Sequence, residues 1–251
     1  MESIKTNDRF IDSGMVLIAL HLLPGIIFAG FFFGASWLFI DWDLTGYLAL
    51  LIGIPACLAP LELGVILLWH RRSKKVGSLA DTIGYHQRGT WVDYIVFPLL
   101  LFICWGILSI AVNPIPQYIQ AHIPGWLPAW ATQAALINGL MRSSPTQRAL
   151  TLGLAILLSG IVAPLVEELY FRGFLLYKMK RWGWAAPVIN SFLFAVYHFY
   201  FPENVPGIFV AFLPIACMVM VKKNWRIGLI THCMFNLWGV FSLINILNTG
   251  L

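Results

Sequence analysis

Long apolar segments dominate this sequence and limit its fold more than any other feature. A helix needs about 20 apolar residues to cross the hydrocarbon core of a bilayer. Hydrophobic residues make up 59% of the chain and charged residues only 11%, whereas soluble domains carry about 25% charged residues. We therefore predict an all-α fold, a polytopic transmembrane helical bundle of about seven to eight spans. Seven spans can be placed directly, at residues 14–40, 44–69, 92–112, 149–177, 184–201, 205–221 and 227–247.

Short basic clusters separate these apolar segments, at residues 71–75, 178–181 and 222–226. Cytoplasmic loops carry an excess of Lys and Arg, so we expect these clusters, together with Lys5 and Arg9, on the cytoplasmic side. The N-terminus is then inside and the C-terminus outside, and the compact chain fits a bacterial inner membrane. The net charge of +5 is spread over several loops, which argues against a nucleic-acid partner.

The segment 126–141 is apolar, but it is short for a span and contains Pro128. If it crossed the membrane, the basic clusters at 178–181 and 222–226 would move to the opposite side. We therefore expect it to be interfacial or re-entrant. We divide the chain into N-terminal transmembrane helices, 1–148, with a cytoplasmic loop near 70–92, and a C-terminal transmembrane domain, 149–251.

Two adjacent carboxylates and an arginine lie within the fourth predicted span, although a central charge costs about 2.5 to 3.5 kcal/mol to insert. Glu168 and Arg172 are four residues apart on one helix face and can form an ion pair. Glu167 points about 100° away from Glu168. The arginine can hold one carboxylate ionised while the other is free to accept a proton, as water activation requires.

Three further polar residues lie within other predicted spans. At 1.5 Å per residue, Glu167 lies about 16 Å from the cytoplasmic helix end. The corresponding depths are about 21 Å for His198, about 9 Å for His232 and about 15 Å for Asn236. These depths are compatible with one site. A structural histidine and a Glu–Arg clamp between helices are the alternatives, and Glu62 in the second span is interpreted as a local partner of a basic residue.

These residues form three ordered motifs in separate apolar helices that together resemble the signature of the CPBP family, the CAAX-processing and bacteriocin-processing intramembrane glutamic endopeptidases. The resemblance covers roughly residues 149–247 and implies that 149–251 is the catalytic domain. Such folds commonly have eight helices, one more than the charge pattern favours here. The motifs are Glu167-Glu168-x-x-x-Arg172, Phe194-x-x-x-His198 and His232-x-x-x-Asn236.

The resemblance also implies a role for each motif residue. Glu167 would be the general base that activates water, helped by His198, while Glu168 and Arg172 orient and balance its carboxylate. His232 and Asn236 would polarise the scissile carbonyl and stabilise the oxyanion. No cofactor and no metal is implied. The Glu and His side chains alone would permit zinc, but the His-Glu-x-x-His pattern typical of zinc proteases is missing from the sequence.

The expected function is that of an intramembrane endopeptidase, which hydrolyses a peptide bond in a membrane-associated or lipid-modified peptide or protein by glutamate-activated water. Two other classes of protein also account for buried carboxylates. One is a non-catalytic membrane scaffold or immunity protein, and the other is a proton-coupled transporter, although no internal repeat typical of transporters is evident.

Overall fold

The computed structural model describes residues 11, 13–42, 44–73, 77–122 and 128–249, and within these ranges the framework is helical without a strand. Lys5, Arg9, Lys74, Lys75 and Trp126, which entered the predictions above, lie outside the described residues. The helices are α1 (Gly14–Asp41), α2 (Gly46–Arg72), α3 (Leu79–Ile83), α4 (Val92–Ile119), α5 (Gln133–Arg142), α6 (Pro145–Lys178), α7 (Ala185–Tyr197), α8 (Pro202–Lys222) and α9 (Trp225–Thr249).

Six of these helices, α1, α2, α4, α6, α8 and α9, are long and apolar enough to cross a membrane. Helix α7 is apolar but has 13 residues, which span about 20 Å and fall short of a hydrocarbon core of about 30 Å. The predicted span 184–201 was therefore too long, because the helix ends at Tyr197 and the chain turns at His198, with φ −87° and ψ 24°. The multi-pass helical bundle is confirmed, and the count of seven to eight is approximate.

The described part of the segment 126–141 forms a short turn at Ala129–Ala131 and helix α5. Helix α5 has 10 residues and is about 15 Å long, half the thickness of a hydrocarbon core. Its length agrees with the prediction that this segment does not cross the membrane.

The described residues of the three basic clusters lie at one end of the bundle, because the ends of α2, α6 and α8 all contact the segment 77–91. We call this the basic end; the helices meet it at Arg72, Lys178 and Lys222. On α2, His70 Nδ1 forms a hydrogen bond with Thr82 Oγ1 at 2.9 Å. On α6, the Tyr177 ring packs on the Tyr85 ring with the centroids 5.4 Å apart. Just after α8, the Lys223 carbonyl accepts a hydrogen bond from the Gln87 N–H at 3.0 Å.

Helix α6 carries the paired glutamates and is not a regular α-helix. Two stretches, Ala155–Val162 and Glu168–Leu175, have the wider π-helical turn, a feature that is often found at functional sites. In the first stretch the Ala163 N–H bonds to the Leu158 carbonyl, five residues back. The carbonyl of Ser159 would bond in the same way to residue 164, but Pro164 has no N–H. Ser159 therefore needs a hydrogen-bond donor from another helix.

Helices from the N-terminal part of the chain pack directly on the helices that carry the motifs. The Tyr170 hydroxyl on α6 donates to the Leu20 carbonyl on α1 at 2.7 Å. His21 on α1 lies 3.1 Å from the Asn190 amide on α7, and both side chains are buried. The division of the chain near residue 148 stays a prediction, and in the structure both parts share one core.

Candidate active site

Helices α6, α7 and α9 bring the predicted site residues together in the half of the bundle nearer the basic end. Glu167 lies 11 residues before Lys178 on α6, about 16 Å from that end. Four of the six residues, Glu167, Glu168, Arg172 and His232, are fully or almost fully buried, and His198 and Asn236 are partly buried. Contacts of 3.1 to 3.9 Å join the carboxylates of α6 to His198 at the end of α7 and to His232 on α9.

Glu168 lies at the centre of a buried triad with Arg172 and His232. Its Oε1 atom is 3.1 Å from Arg172 Nη1 and 3.1 Å from His232 Nδ1, and Glu168 and Arg172 are both 0% exposed. Helix α9 approaches closely at this point, since a Cβ added at Gly228 would lie 2.3 Å from Glu168 Oε2. A glycine one turn before His232 is therefore required for the carboxylate to reach the histidine.

Arg172 is held mainly by aromatic rings and by Glu168. Its guanidinium carbon lies 4.0 Å from the centroid of the Phe194 ring and 4.7 Å from that of Phe212. Its Nε and Nη2 atoms have no hydrogen-bond partner among the described residues. The two rings supply cation–π attraction, which is strongest where water is excluded. The position of the arginine charge is thus fixed by residues of α7 and α8.

Glu167 faces the Nε2 atoms of two histidines. Its Oε1 lies 3.9 Å from His198 Nε2, and its Oε2 lies 3.7 Å from His232 Nε2. Both distances are longer than a hydrogen bond, and catalytic contacts often shorten only when substrate binds. The Glu167 side chain is 5% exposed and that of His198 is 18% exposed.

The hydrogen bond of Nδ1, the second ring nitrogen, determines which tautomer each neutral histidine adopts. His198 Nδ1 lies 2.9 Å from the Phe194 carbonyl, which can only accept, so Nδ1 carries the hydrogen. His232 Nδ1 lies 3.1 Å from the Glu168 carboxylate and donates in the same way. Each neutral ring therefore turns an unprotonated Nε2 toward Glu167, so a proton held by Glu167 can pass to either ring.

Asn236 is oriented by the irregular backbone of α6. Its Nδ2 donates to the Ser159 carbonyl at 2.8 Å, the group that Pro164 leaves without a backbone donor. A side-chain amide has two N–H donors, so the second one is available to a ligand. Asn236 lies in the same cavity as Glu167, although no hydrogen bond joins it to His232 in the described part of the chain.

A cavity of about 230 Å³ opens beside Glu167 and is lined mainly by apolar and aromatic side chains. Helices α1 and α2 contribute part of its wall, so the N-terminal part of the chain helps to build the site. Its polar lining residues are Ser159, Glu167, His198, Tyr200, Asn204, His232 and Asn236, and its apolar ones include Phe28, Leu50, Ile54, Leu58, Phe201, Ile208 and Phe212.

A second cavity, of about 600 Å³, lies at the other end of α6, near Ser144 and Arg142. No Asp, Glu or His lines it, so it contains none of the predicted site residues. Although it is larger, the smaller cavity beside Glu167 is the candidate active site because the ionisable groups converge there.

The structure adds two contacts that the sequence prediction did not contain. His232 Nδ1 lies 3.1 Å from Glu168 Oε1 and His232 Nε2 lies 3.7 Å from Glu167 Oε2, while its predicted role with Asn236 stays a prediction. Glu62 was interpreted as the partner of a basic residue, but it accepts a hydrogen bond from the Tyr197 hydroxyl at 3.0 Å. The sequence prediction also missed Gly228, whose four-residue spacing to His232 could have indicated it.

The carboxylates and histidines do not converge as metal ligands do. Among the described residues, no group of three or more His, Cys, Asp or Glu side chains has an arrangement that could hold a metal ion. The donor set of the site is used for ion pairs and hydrogen bonds within the protein.

Comparison with known proteins gives a family match for the segment that contains the three motifs. Residues 149–238 match the model of a family described as Rce1-like, type II CAAX prenyl endopeptidase Rce1-like. No curated protein and no solved structure matches the chain. The matched segment runs from α6 to α9 and contains all six predicted site residues, and the matched family is a family of proteases. The match over residues 149–238 supports the resemblance of this segment to the CPBP family of CAAX proteases.

Proposed function

We propose that this protein is an intramembrane endopeptidase that uses Glu167 to activate water. The observation that carries the proposal is the position of the Glu167 carboxylate, which faces two histidine Nε2 atoms beside an apolar cavity. A carboxylate that can exchange a proton with a nearby imidazole is suited to general acid–base chemistry. The family match supports a protease, and the geometry supports a glutamate as its base.

In the proposed reaction, Glu167 takes a proton from water while the water oxygen attacks the scissile carbonyl carbon. The new C–O bond forms a tetrahedral oxyanion, which collapses as the C–N bond breaks. Glu167 then returns the proton to the leaving nitrogen, directly or through His198 Nε2. Water and peptide are thus converted into a carboxylic acid and an amine, the acid then releases its proton to the amine or to solvent, and no redox partner is needed.

The oxyanion requires hydrogen-bond donors, which are most effective where water is excluded. The free N–H of the Asn236 amide is one proposed donor, since the other holds the Ser159 carbonyl. His232 can donate from Nε2 while it carries a second proton, and the neighbouring Glu168 carboxylate stabilises that positive charge. Arg172 pairs with Glu168, which contacts His232, and so acts on the reaction through His232.

We further propose that the substrate is a membrane-associated or lipid-modified peptide or protein that reaches the site near the basic end. The apolar wall of the cavity suits an apolar substrate segment. The basic end is proposed to face the cytoplasm, with the N-terminus on the same side, as expected for a bacterial inner membrane. The C-terminal part, 149–251, is the proposed catalytic domain.

The proposal is tested by assaying the purified protein in detergent or vesicles with a panel of lipidated and transmembrane peptides. Glu167→Gln keeps the shape of the side chain but cannot accept a proton, and we expect cleavage to fall about 100- to 10,000-fold. Asp81→Asn, a matched change in the exposed helix α3 at the basic end, should leave turnover unchanged.

The same assay separates the competing functions. A chelator should leave the turnover of the wild-type protein unchanged, because every proposed step uses groups of this chain. Equal turnover by Glu167→Gln and the wild type would contradict the proposal. A cellular phenotype that survives Glu167→Gln would instead indicate a non-catalytic scaffold.

A further inference from the structure

A third buried carboxylate lies next to the candidate site but outside the segment that matches the family. Glu62 is on α2, is 0% exposed, and accepts a hydrogen bond from the Tyr197 hydroxyl at 3.0 Å. It also interacts electrostatically with Glu167 and Arg172. Its spacing of four residues from Leu58, which lines the cavity, places it next to the cavity wall.

Tyr197, the partner of Glu62, is the residue immediately before His198. The two rings are 4.8 Å apart at an interplanar angle of 78°. Helix α7 ends at Tyr197, so the backbone that carries His198 is no longer held by a continuing helix. The Glu62–Tyr197 hydrogen bond ties this helix end to α2.

Helix α1 holds Tyr197 from the other side. A Cβ added at Gly25 would lie 2.5 Å from the Tyr197 carbonyl oxygen and 2.6 Å from its ring. This close approach needs a glycine and leaves the tyrosine little room to move. Tyr197 is thus enclosed by α1 and by Glu62 of α2, two elements outside the matched segment.

The energetic cost of Glu62 indicates more than a packing role. A buried polar group is costly unless it is hydrogen-bonded, and Glu62 Oε2 has no hydrogen-bond partner among the described residues. A leucine at this position would fill space without that cost. What a leucine could not do is accept the hydrogen bond from Tyr197.

We propose that Glu62 is a positioning residue, which fixes the place of His198 beside Glu167 through its hydrogen bond to Tyr197. The inference rests on the proposed function, in which His198 assists Glu167. Helix α2, which lies outside the residues 149–238 that match the family, thus contributes to the reaction. A displacement of a catalytic group by about 1 Å can lower a rate about 100-fold, so a small shift of His198 is sufficient.

The test compares four variants in the peptide-cleavage assay. Glu62→Leu and Tyr197→Phe each remove the hydrogen bond, and we expect kcat to fall about 10- to 100-fold with KM nearly unchanged. Glu62→Gln keeps an oxygen acceptor and should retain kcat within about 3-fold, because its amide carbonyl can still accept from Tyr197. Tyr170→Phe is the matched control, since it removes a buried tyrosine hydrogen bond that goes to the Leu20 carbonyl.

The double variant Glu62→Leu/Tyr197→Phe should be no slower than the slower single variant, since both changes break the same contact. Full kcat in Glu62→Leu would overturn the inference while the proposed function stands. Loss of activity in Glu62→Gln equal to that in Glu62→Leu would also overturn it, because the carboxylate charge would then be the important property.

A second readout does not depend on a substrate. The 15N resonances of the His198 ring, in protein labelled at histidine, report its tautomer and its Nδ1 hydrogen bond to Phe194. We expect them to shift in Glu62→Leu and Tyr197→Phe and to remain in place in Glu62→Gln and Tyr170→Phe. Unchanged resonances in Glu62→Leu would overturn the inference even if no panel peptide were cleaved.

Discussion

The two adjacent glutamates of α6 have different surroundings although they are neighbours in sequence. Glu168 is 0% exposed and lies 3.1 Å from both Arg172 and His232, so its charge is balanced within the protein. Glu167 borders the cavity and lies 3.7 to 3.9 Å from the two histidines. This difference follows from the turn of the helix and gives Glu167 the freer carboxylate.

At the residue scale, Gly228 offers a direct test of the buried triad. In Gly228→Ala the new methyl group would lie 2.3 Å from Glu168 Oε2, so either the carboxylate or helix α9 must move. We expect kcat to fall about 100-fold through displacement of His232. The matched control is Gly239→Ala on the same helix, where nothing lies within 4 Å of an added Cβ. Normal turnover of both variants would contradict the assigned contact.

Spacing alone predicted part of this site. The four-residue interval between Glu168 and Arg172 predicted their ion pair, and the structure contains it. Spacing within one helix could not predict the contact between His232 and Glu168, because that contact depends on how α9 packs on α6. The roles of the six residues remain predictions, and the assays above test them.

At the scale of elements, the irregularity of α6 is what connects it to α9. The π-helical stretch Ala155–Val162 and the proline that follows it leave the Ser159 carbonyl without a backbone donor, and Asn236 supplies one at 2.8 Å. The backbone of one helix therefore sets the orientation of a side chain on another. In a regular α-helix, Pro164 would instead leave the Gly160 carbonyl, four residues back, without a donor.

Pro164→Ala tests this connection. The substitution restores an N–H at residue 164 that can compete with Asn236 for the Ser159 carbonyl. We expect kcat to fall about 10-fold as the Asn236 amide loses its fixed orientation, while the thermal unfolding temperature stays the same or rises. Pro214→Ala, which changes another proline within a long apolar helix, is the control and should leave kcat unchanged. A loss of activity in the control equal to that in Pro164→Ala would contradict the proposed connection.

Hydropathy predicted the long helices well and the short one poorly. The apolar segment 184–201 was predicted as a complete span because its residues remain apolar beyond Tyr197. The helix ends there because His198 leaves the helical conformation and its ring bonds to the Phe194 carbonyl. Hydropathy records apolar side chains and contains no information on such local hydrogen bonds.

At the scale of the whole molecule, the basic ends of α2, α6 and α8 meet on one loop. The charge pattern predicted this grouping, although it could not predict that α1 and α2 would also form part of the cavity wall. The active site is thus proposed to be built by the entire chain, with its polar groups on the C-terminal helices and much of its apolar wall on the N-terminal ones.

The proposed orientation predicts which loops are accessible from each side. In a variant whose four native cysteines are replaced, Arg88→Cys, in the exposed loop at the basic end, should react with a membrane-impermeant reagent only after the membrane of intact cells is permeabilised. Pro145→Cys, at the opposite end of α6, should react with the same reagent from outside. The reverse pattern would contradict the orientation but not the site.

The central claim is that Glu167 is the base that activates water. The most direct measurement is the single-turnover rate constant for cleavage of a bound peptide by the wild-type protein and by Glu167→Gln, with both shown to bind the peptide equally. We predict that the variant is at least about 100-fold slower with unchanged peptide affinity. A variant that cleaves at the wild-type rate would contradict the claim.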